Sequence, residues 1–283
     1  MTNEVYKKVI EEFGDEWNKF DQVQLSAEEH DEQFRRYVNT PHFEEMLGKK
    51  SINIADVGAG SGRWTSKLRE YFGLSSITAI EPTHAEEVLK ARFQSDLNTS
   101  VVRCAFDALP NPNVPPQGFD LVCCWGVLHH TNSIETNFAK LVQITKPGGV
   151  IFCYIYYDLD FRPVWYKAIW RASNLLRYMI SISPRFLKGI LCELIAAFIY
   201  LPIVVVGRLF PKTSQPKLPL YGYYNRSFYS IRTDARDRFG TRVEKRMPKK
   251  SIIKMCEENG LEDIKFSDTH PYWVFSCKKS NGH

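Results

Sequence analysis

An open, mostly parallel α/β sheet with helices on both faces, interrupted by a helical insertion before its last strands, is predicted by three observations. Short apolar runs alternate with helical patterns from Ser51 to Ile155. A glycine-rich turn at Gly58, Gly60 and Gly62 follows the first of those runs. A basic, partly apolar stretch from Asp158 to Met247 then intervenes, after which a helix and two more strand-like runs resume the pattern.

Taken in order, residues 1–50 read as a helical cap. Val5, Val9, Ile10, Phe13, Trp17 and Phe20 recur close to helical spacing with Lys and Glu between them. Trp17 and Phe20 either seal a ligand site or simply pack on the body. A second helix, Ala27 to Val38, is expected to end before Pro41. Residues 51–157 form the core. Ile52, Ile54, Ala55 and Val57 suit a strand buried on both faces, which Asp56 interrupts near its carboxyl end. The glycines permit a sharp turn with close backbone approach, and a helix from about Arg63 aims its amide-rich N-terminus at the same spot. Strands are expected at Ile77 to Ile80, Val101, Leu121 and Val150, and a helix from Ser133 to Ile144. Ligands of such sheets bind beyond the carboxyl ends of the strands, where Asp56, Glu81, Trp125 and Tyr156 fall.

The insertion, residues 158–247, opens with an amphipathic helix from Pro163 to Ile180. Ile190 to Gly207 then runs with only Glu193 charged, bracketed by Arg185, Lys188, Arg208 and Lys212. Its length permits a membrane span, but Glu193 is costly in hydrocarbon and Pro202 breaks the helix. A buried cap helix is the first reading and a helix lying in a membrane surface the second. Leu220 to Gly240 is dense in Tyr and Arg, with Tyr224 and Arg226 near its start. That composition suits sugars, phosphates or carboxylates, or an Arg–Asp ladder that locks the insertion. Residues 248–283 finish the core: Pro248 to Asn259 is a short helix stopped by Gly260, and Ile264 to Ser267 and Tyr272 to Cys277 are strands that pair antiparallel.

Composition narrows the classes. The first thirty residues hold no continuous apolar stretch, so no secretory leader is expected and the protein is placed in the cytoplasm, with a peripheral position at the inner face of the membrane as the variant. Seven cysteines include no C-x-x-C pair, and with His129 and His130 also lacking metal spacing, neither disulfides nor a metal are expected. Residues 161–250 carry eighteen Lys and Arg against four Asp and Glu, an excess of +14 in a chain of net +5, leaving −9 for the rest. A basic insertion on an acidic body suggests an anionic substrate or membrane surface, or charges that merely solvate the insertion or pair with the body.

The D-x-G-x-G-x-G spacing from Asp56 to Gly62, unlike the G-x-G-x-x-G of dinucleotide sites, resembles the class I S-adenosylmethionine (SAM)-dependent methyltransferases, within them the group that includes the ubiquinone and menaquinone C-methyltransferases. The likeness extends to Glu81 at the end of the second strand, to FDLVCCWGVLHH (Phe119 to His130) and to KPGGVIF (Lys146 to Phe152). The tyrosines and DRFGT of the insertion are similar to many bacterial relatives of unknown substrate. The resemblance implies a Rossmann-like sheet with an antiparallel last strand, the insertion lying between strands five and six. It also implies a SAM site, yielding S-adenosylhomocysteine, at Asp56, Gly58, Ala59, Gly60, Gly62, Arg63, Glu81, Pro82, Phe106, Asp107, Trp125 and Gly126. Glu81 would hold the ribose hydroxyls. One departure stands at the third strand, where Ala105 replaces the acid that relatives aim at the adenine; Phe106 packing on the ring and Asp107 bonding to it, or merely capping a turn, take its place.

A bound SAM brings an electrophilic methyl group, so the protein's tasks are to align a nucleophile and exclude water. For a hydroxyl acceptor a general base adds about 10²-fold to 10⁴-fold. His129 and His130 are the candidates, with a positioning role as the alternative. Tyr156, Tyr157 and Arg162 join Tyr224 and Arg226 as substrate contacts. The expected activity is therefore O-methylation of a small, lipid-linked or sugar-linked acceptor. N- or C-methylation, other SAM chemistry, and a SAM-binding protein without turnover are the alternatives. Nucleic acid is not expected, because GVLHHT (Gly126 to Thr131) stands where amino-methylating nucleic-acid enzymes carry Pro-Pro and an aromatic.

Overall fold

The computed structural model describes residues 3–20, 24–112, 114–159, 162–215, 218–268 and 273–281. Tyr272 and the side chain of Val5 lie outside the described residues. The chain divides into two compact units, one of residues 1–22, 31–158 and 245–283, the other of residues 23–30 and 159–244.

The first unit begins with helices α1 (Asn3–Lys19), α2 (Ala27–Tyr37, shared with the second unit) and α3 (Pro41–Leu47). α2 ends before Pro41, as expected, and Pro41 opens a further short helix. It occupies the first turn of α3, where its missing N–H has no intrahelical acceptor to lose and its fixed φ is already helical. Strands β1 (Asn53–Val57), β2 (Ser76–Ile80), β3 (Thr99–Val102), β4 (Phe119–Trp125), β5 (Thr145–Tyr154), β6 (Leu261–Phe266) and β7 (Val274–Lys279) form one sheet in the order β3-β2-β1-β4-β5-β7-β6. β1 pairs parallel with β2 and β4, β2 with β3, and β4 with β5, while β7 runs antiparallel to both β5 and β6. The connections are α4 (Arg63–Tyr71), α5 (Glu86–Arg92), α6 (Ile134–Ile144) and, before β6, α11 (Lys249–Glu258). Ser133 caps α6 by accepting the Thr136 N–H at 3.1 Å.

Alternation along the strands divides the core. Ala55, Val57, Val122, Cys124, Ile151 and Cys153 belong to the cluster that includes Phe138, Leu141 and Ile252. Ile54, Leu121, Cys123, Val150 and Phe152 belong to the one with Phe34, Phe43 and Leu68. Cys123 and Cys124 thus face opposite sides, as neighbours on a strand must. The order reverses at β1 and β4, and the ligand crevice of such sheets opens beyond their carboxyl ends, between the β1–α4 turn and the β4–α6 loop.

The second unit holds α7 (Val164–Ser181), α8 (Arg185–Ile195), a π turn (Ala196–Tyr200), α9 (Leu201–Arg208) and α10 (Phe228–Gly240). Pro202 does not break the chain's course, because the π turn just before it relaxes the i→i−4 pattern that a proline would violate. The helix expected to be a buried cap is not buried: over its most apolar eighteen residues, 22% are covered. Tyr224, 4% exposed, packs with Ile231 and Ala235 and donates its hydroxyl to the Pro219 carbonyl at 3.0 Å, and Gly207 beside it has no room for a Cβ.

Candidate active site

The glycine turn builds one wall of the site. Gly58 takes φ +79° and Gly60 φ +57°, left-handed values that L residues resist. Both also lack space. A Cβ on Gly58 would overlap the Val127 side chain, and one on Gly60 would meet the Trp17 indole at 3.1 Å. The turn is pinned to β2 by hydrogen bonds from the Gly58 and Ala59 N–H groups to the Ile80 carbonyl, at 2.8 and 3.2 Å.

Glu81 ends β2 almost fully buried, accepting the Gly60 N–H at 2.7 Å on Oε2 and the Thr83 N–H at 2.9 Å on Oε1. Burial pushes its pKa up against these bonds. Asp56 stands behind the turn, where its Oδ2 accepts the Thr65 hydroxyl at 2.6 Å. Full burial raises it to about 7, opposed by the Thr65 bond and aided by the charge of Glu81.

A cavity opens beside this turn. Of the expected cofactor residues, Gly58, Glu81, Pro82, Phe106, Trp125 and Gly126 line it. Asp56, Ala59, Gly60 and Gly62 are outside the lining, and Arg63 lies over the Trp64 ring at 4.0 Å and donates to Gln33. Asp107 is exposed and outside the lining. The buried Trp125 Nε1 has no hydrogen-bond partner among the described residues, an orphaned donor on a residue of the cavity wall.

Another wall is α1. Tyr6, Val9, Ile10, Phe13 and Trp17, one face of that helix, all line the cavity, whereas Phe20 is buried elsewhere in the unit. Tyr6 is pushed up to about 12 by burial first and then by the Asp107 and Glu81 charges. Phe13 was legible as a member of the helix's apolar face, but nothing in its spacing separated ligand contact from packing, and Tyr6 was not counted on that face. Cys104, Leu109, Val127 and Thr131 also line the cavity, and these have no local motif.

The two histidines separate. His130 lines the cavity with its ring 4.9 Å from that of Phe13. His129 is fully buried outside the lining, stacked on Tyr156 at 3.8 Å, and neither ring nitrogen has a partner among the described residues. Burial, with His130 and Arg246 nearby, lowers its pKa well below the ordinary imidazole value, so it is neutral. Arg246 lies over both Tyr156 and Tyr157, 5.3 and 5.8 Å from the ring centres. In the second unit Arg162 lies over Tyr166 at 4.8 Å, Arg226 pairs with Asp234 at 2.7 Å, and Tyr224 is held by Pro219 as described. Each of the three therefore has partners within its own unit. Among the described residues no group of His, Cys, Asp and Glu is arranged to hold a metal ion.

The seven-stranded sheet with its reversed β7, and the glycine turn facing a buried acid at the end of β2, are the fold of the class I SAM-dependent methyltransferases. Residues 55–151 match the family described as a methyltransferase domain. The chain is 26% identical over 100 residues to the ubiquinone biosynthesis O-methyltransferase of Rickettsia typhi, covering 35% of this chain and 39% of that one. It is 27% identical over 128 residues to the tRNA U34 carboxymethyltransferase of Campylobacter lari, covering 44% and 41%. The fold matches a candidate SAM-dependent methyltransferase from Methanococcus maripaludis at TM-score 0.52 and 12% identity, over 97% of this chain and 95% of that one. The chain spans less than half the length of the curated relatives it matches.

Proposed function

We propose that this chain methylates a hydroxyl group of a small, lipid-linked or sugar-linked acceptor that carries an anionic group, using SAM. The observation that carries the reading is the meeting, in one cavity, of the glycine turn, the buried Glu81 and a histidine, His130. The residues fit the cofactor: two glycines leave no room for side chains at the turn, Glu81 offers a buried carboxylate for ribose hydroxyls, and the orphaned Trp125 donor needs an acceptor. When bound, SAM supplies the electrophilic methyl group. Phe106 would pack on the adenine, and the aromatic face of α1 excludes water, so that an acceptor oxygen meets the methyl carbon without competition. His130 would take the acceptor's proton as the new bond forms.

The relatives leave the acceptor open, since their names span O-methyl and carboxymethyl transfer and the family match covers the sheet from β1 to β5. The test is SAM calorimetry on the purified protein, followed by incubation with isotopically labelled SAM and mass spectrometry of hydroxylated acceptors. Micromolar binding with a gained methyl group supports the reading. Absence of binding refutes it, and a product heavier than a methyl group or alkylated at nitrogen or carbon refutes the hydroxyl assignment.

A further inference from the structure

Among the described residues, twenty-three large apolar side chains are exposed, and nineteen of them lie between residues 164 and 210, on α7, α8, α9 and their junctions. Through the π turn, α8 and α9 make one helix from Arg185 to Arg208, twenty-four residues long, with mean hydropathy 2.5 over its most apolar window. That helix has two faces. Cys192, Ile195, Ala196 and Val204 are buried in clusters with Ile231, Ala235 and Phe239 of α10. Phe186, Ile190, Leu194 and Phe198, spaced four apart, are exposed on the other side, with Phe186 at 82% and Phe198 at 73%, and Leu209 continues the row at 80%. An apolar surface of that extent is not left to water in a soluble domain without an occupant.

We propose that this face rests on an anionic bilayer, the helix lying in the plane of the headgroups rather than across the membrane. Charge chooses the occupant. Arg171, Arg185, Arg208 and Lys212 are exposed at and between the ends of the apolar helices, in a segment whose basic residues outnumber its acidic ones eighteen to four. Glu193, the acid within the helix, is held by Arg232 in a two-pronged pair at 2.6 and 2.8 Å. A basic rim around an apolar face is the pattern that acyl chains below and phosphate headgroups beside would complement. The same pair excludes a span. Crossing the bilayer would either strip α8 from α10 or draw Arg232, Asp234, Arg236 and Arg238 of α10 into hydrocarbon with it.

The experiment is flotation of the full chain with vesicles of phosphatidylcholine alone or mixed with phosphatidylglycerol, in low and high salt. The wild type floats with the anionic vesicles and less with the neutral ones, and salt weakens its binding. F186S/F198S/L209S, altered only at exposed positions, loses at least about a hundredfold in partitioning, since each such side chain buried contributes about tenfold or more. R171E/R185E loses preference for the anionic lipid. SAM calorimetry on the triple variant verifies that it is folded. Failure to float at low salt, unchanged flotation of the triple variant, or equal binding to neutral vesicles overturns the proposal. Resistance to alkaline carbonate extraction would show a span and overturn it too. A dimer that the triple variant splits, without lipid binding, would show that a second copy covers the face instead.

Discussion

Replacing Asp56 by Asn tests how the turn is built. A carboxyl whose pKa rises from 3.8 to about 7 on folding favours the folded state while it is protonated, below about 3.8. That contribution is lost progressively as pH climbs to about 7, because the unfolded chain ionises freely and the folded one does not. The full loss is about 4 kcal/mol, three pKa units at 1.36 kcal/mol each, and about 2–3 kcal/mol of it falls between pH 5 and pH 8. Asn keeps an oxygen for the Thr65 hydroxyl and cannot ionise. Its amide N–H groups add a cost in the buried site, but that cost does not change with pH. The variant's Tm relative to wild type should therefore rise from pH 5 to pH 8 by about 5–10 °C, at about 2–4 °C per kcal/mol for a chain portion of this size. Paired thermal melts at the two pH values measure it. A Tm difference that is the same at both would refute the reasoning, and would mean that Asp56 is already ionised in the folded protein at pH 5.

Gly60→Val should abolish SAM binding while far-UV circular dichroism stays native, since the valine must both adopt φ near +57° and displace Trp17; unchanged affinity would remove the cofactor from this turn. His130→Ala should lower kcat by about 10²-fold to 10⁴-fold with SAM affinity retained, as measured by turnover alongside calorimetry. His129→Phe should instead leave turnover intact and raise stability by about 1–3 kcal/mol in urea melts, because it replaces a buried ring with two unpaired nitrogens by an apolar one that still stacks on Tyr156. Trp17→Ala should speed SAM release in stopped-flow measurements by about tenfold or more, and an unchanged rate would reduce α1 to packing.

The sheet was legible because its signals are local. The buried parallel strands β1, β2, β4 and β5 need apolar runs, and the turn after the first needs glycines, so Ile52 to Gly62 identified both a strand and its turn from one stretch. The second sheet edge followed from Gly260 and two short apolar runs, although the first of those, set at Ile264, begins at Leu261. α3 was missed because Pro41 reads as a stop when the helix it opens is too short to show a period. Within the site, His129 and His130 were indistinguishable as neighbours. A turn of 3₁₀ helix, Leu128–His130, decides between them, pointing one ring into the cavity and the other into Tyr156.

By itself, then, the sequence determined the class of fold, the place of the ligand turn and the acid that faces it, since each is specified by residues adjacent in the chain. Tertiary structure alone decided that α1 forms a wall of the cavity, that Asp56 turns away to Thr65, and that α8 and α9 keep one face against α10 and leave the other uncovered. The physical reason is the same in all three cases. An apolar helix face or a carboxylate carries no record of which distant partner it meets, and that choice is made only when the chain closes on itself.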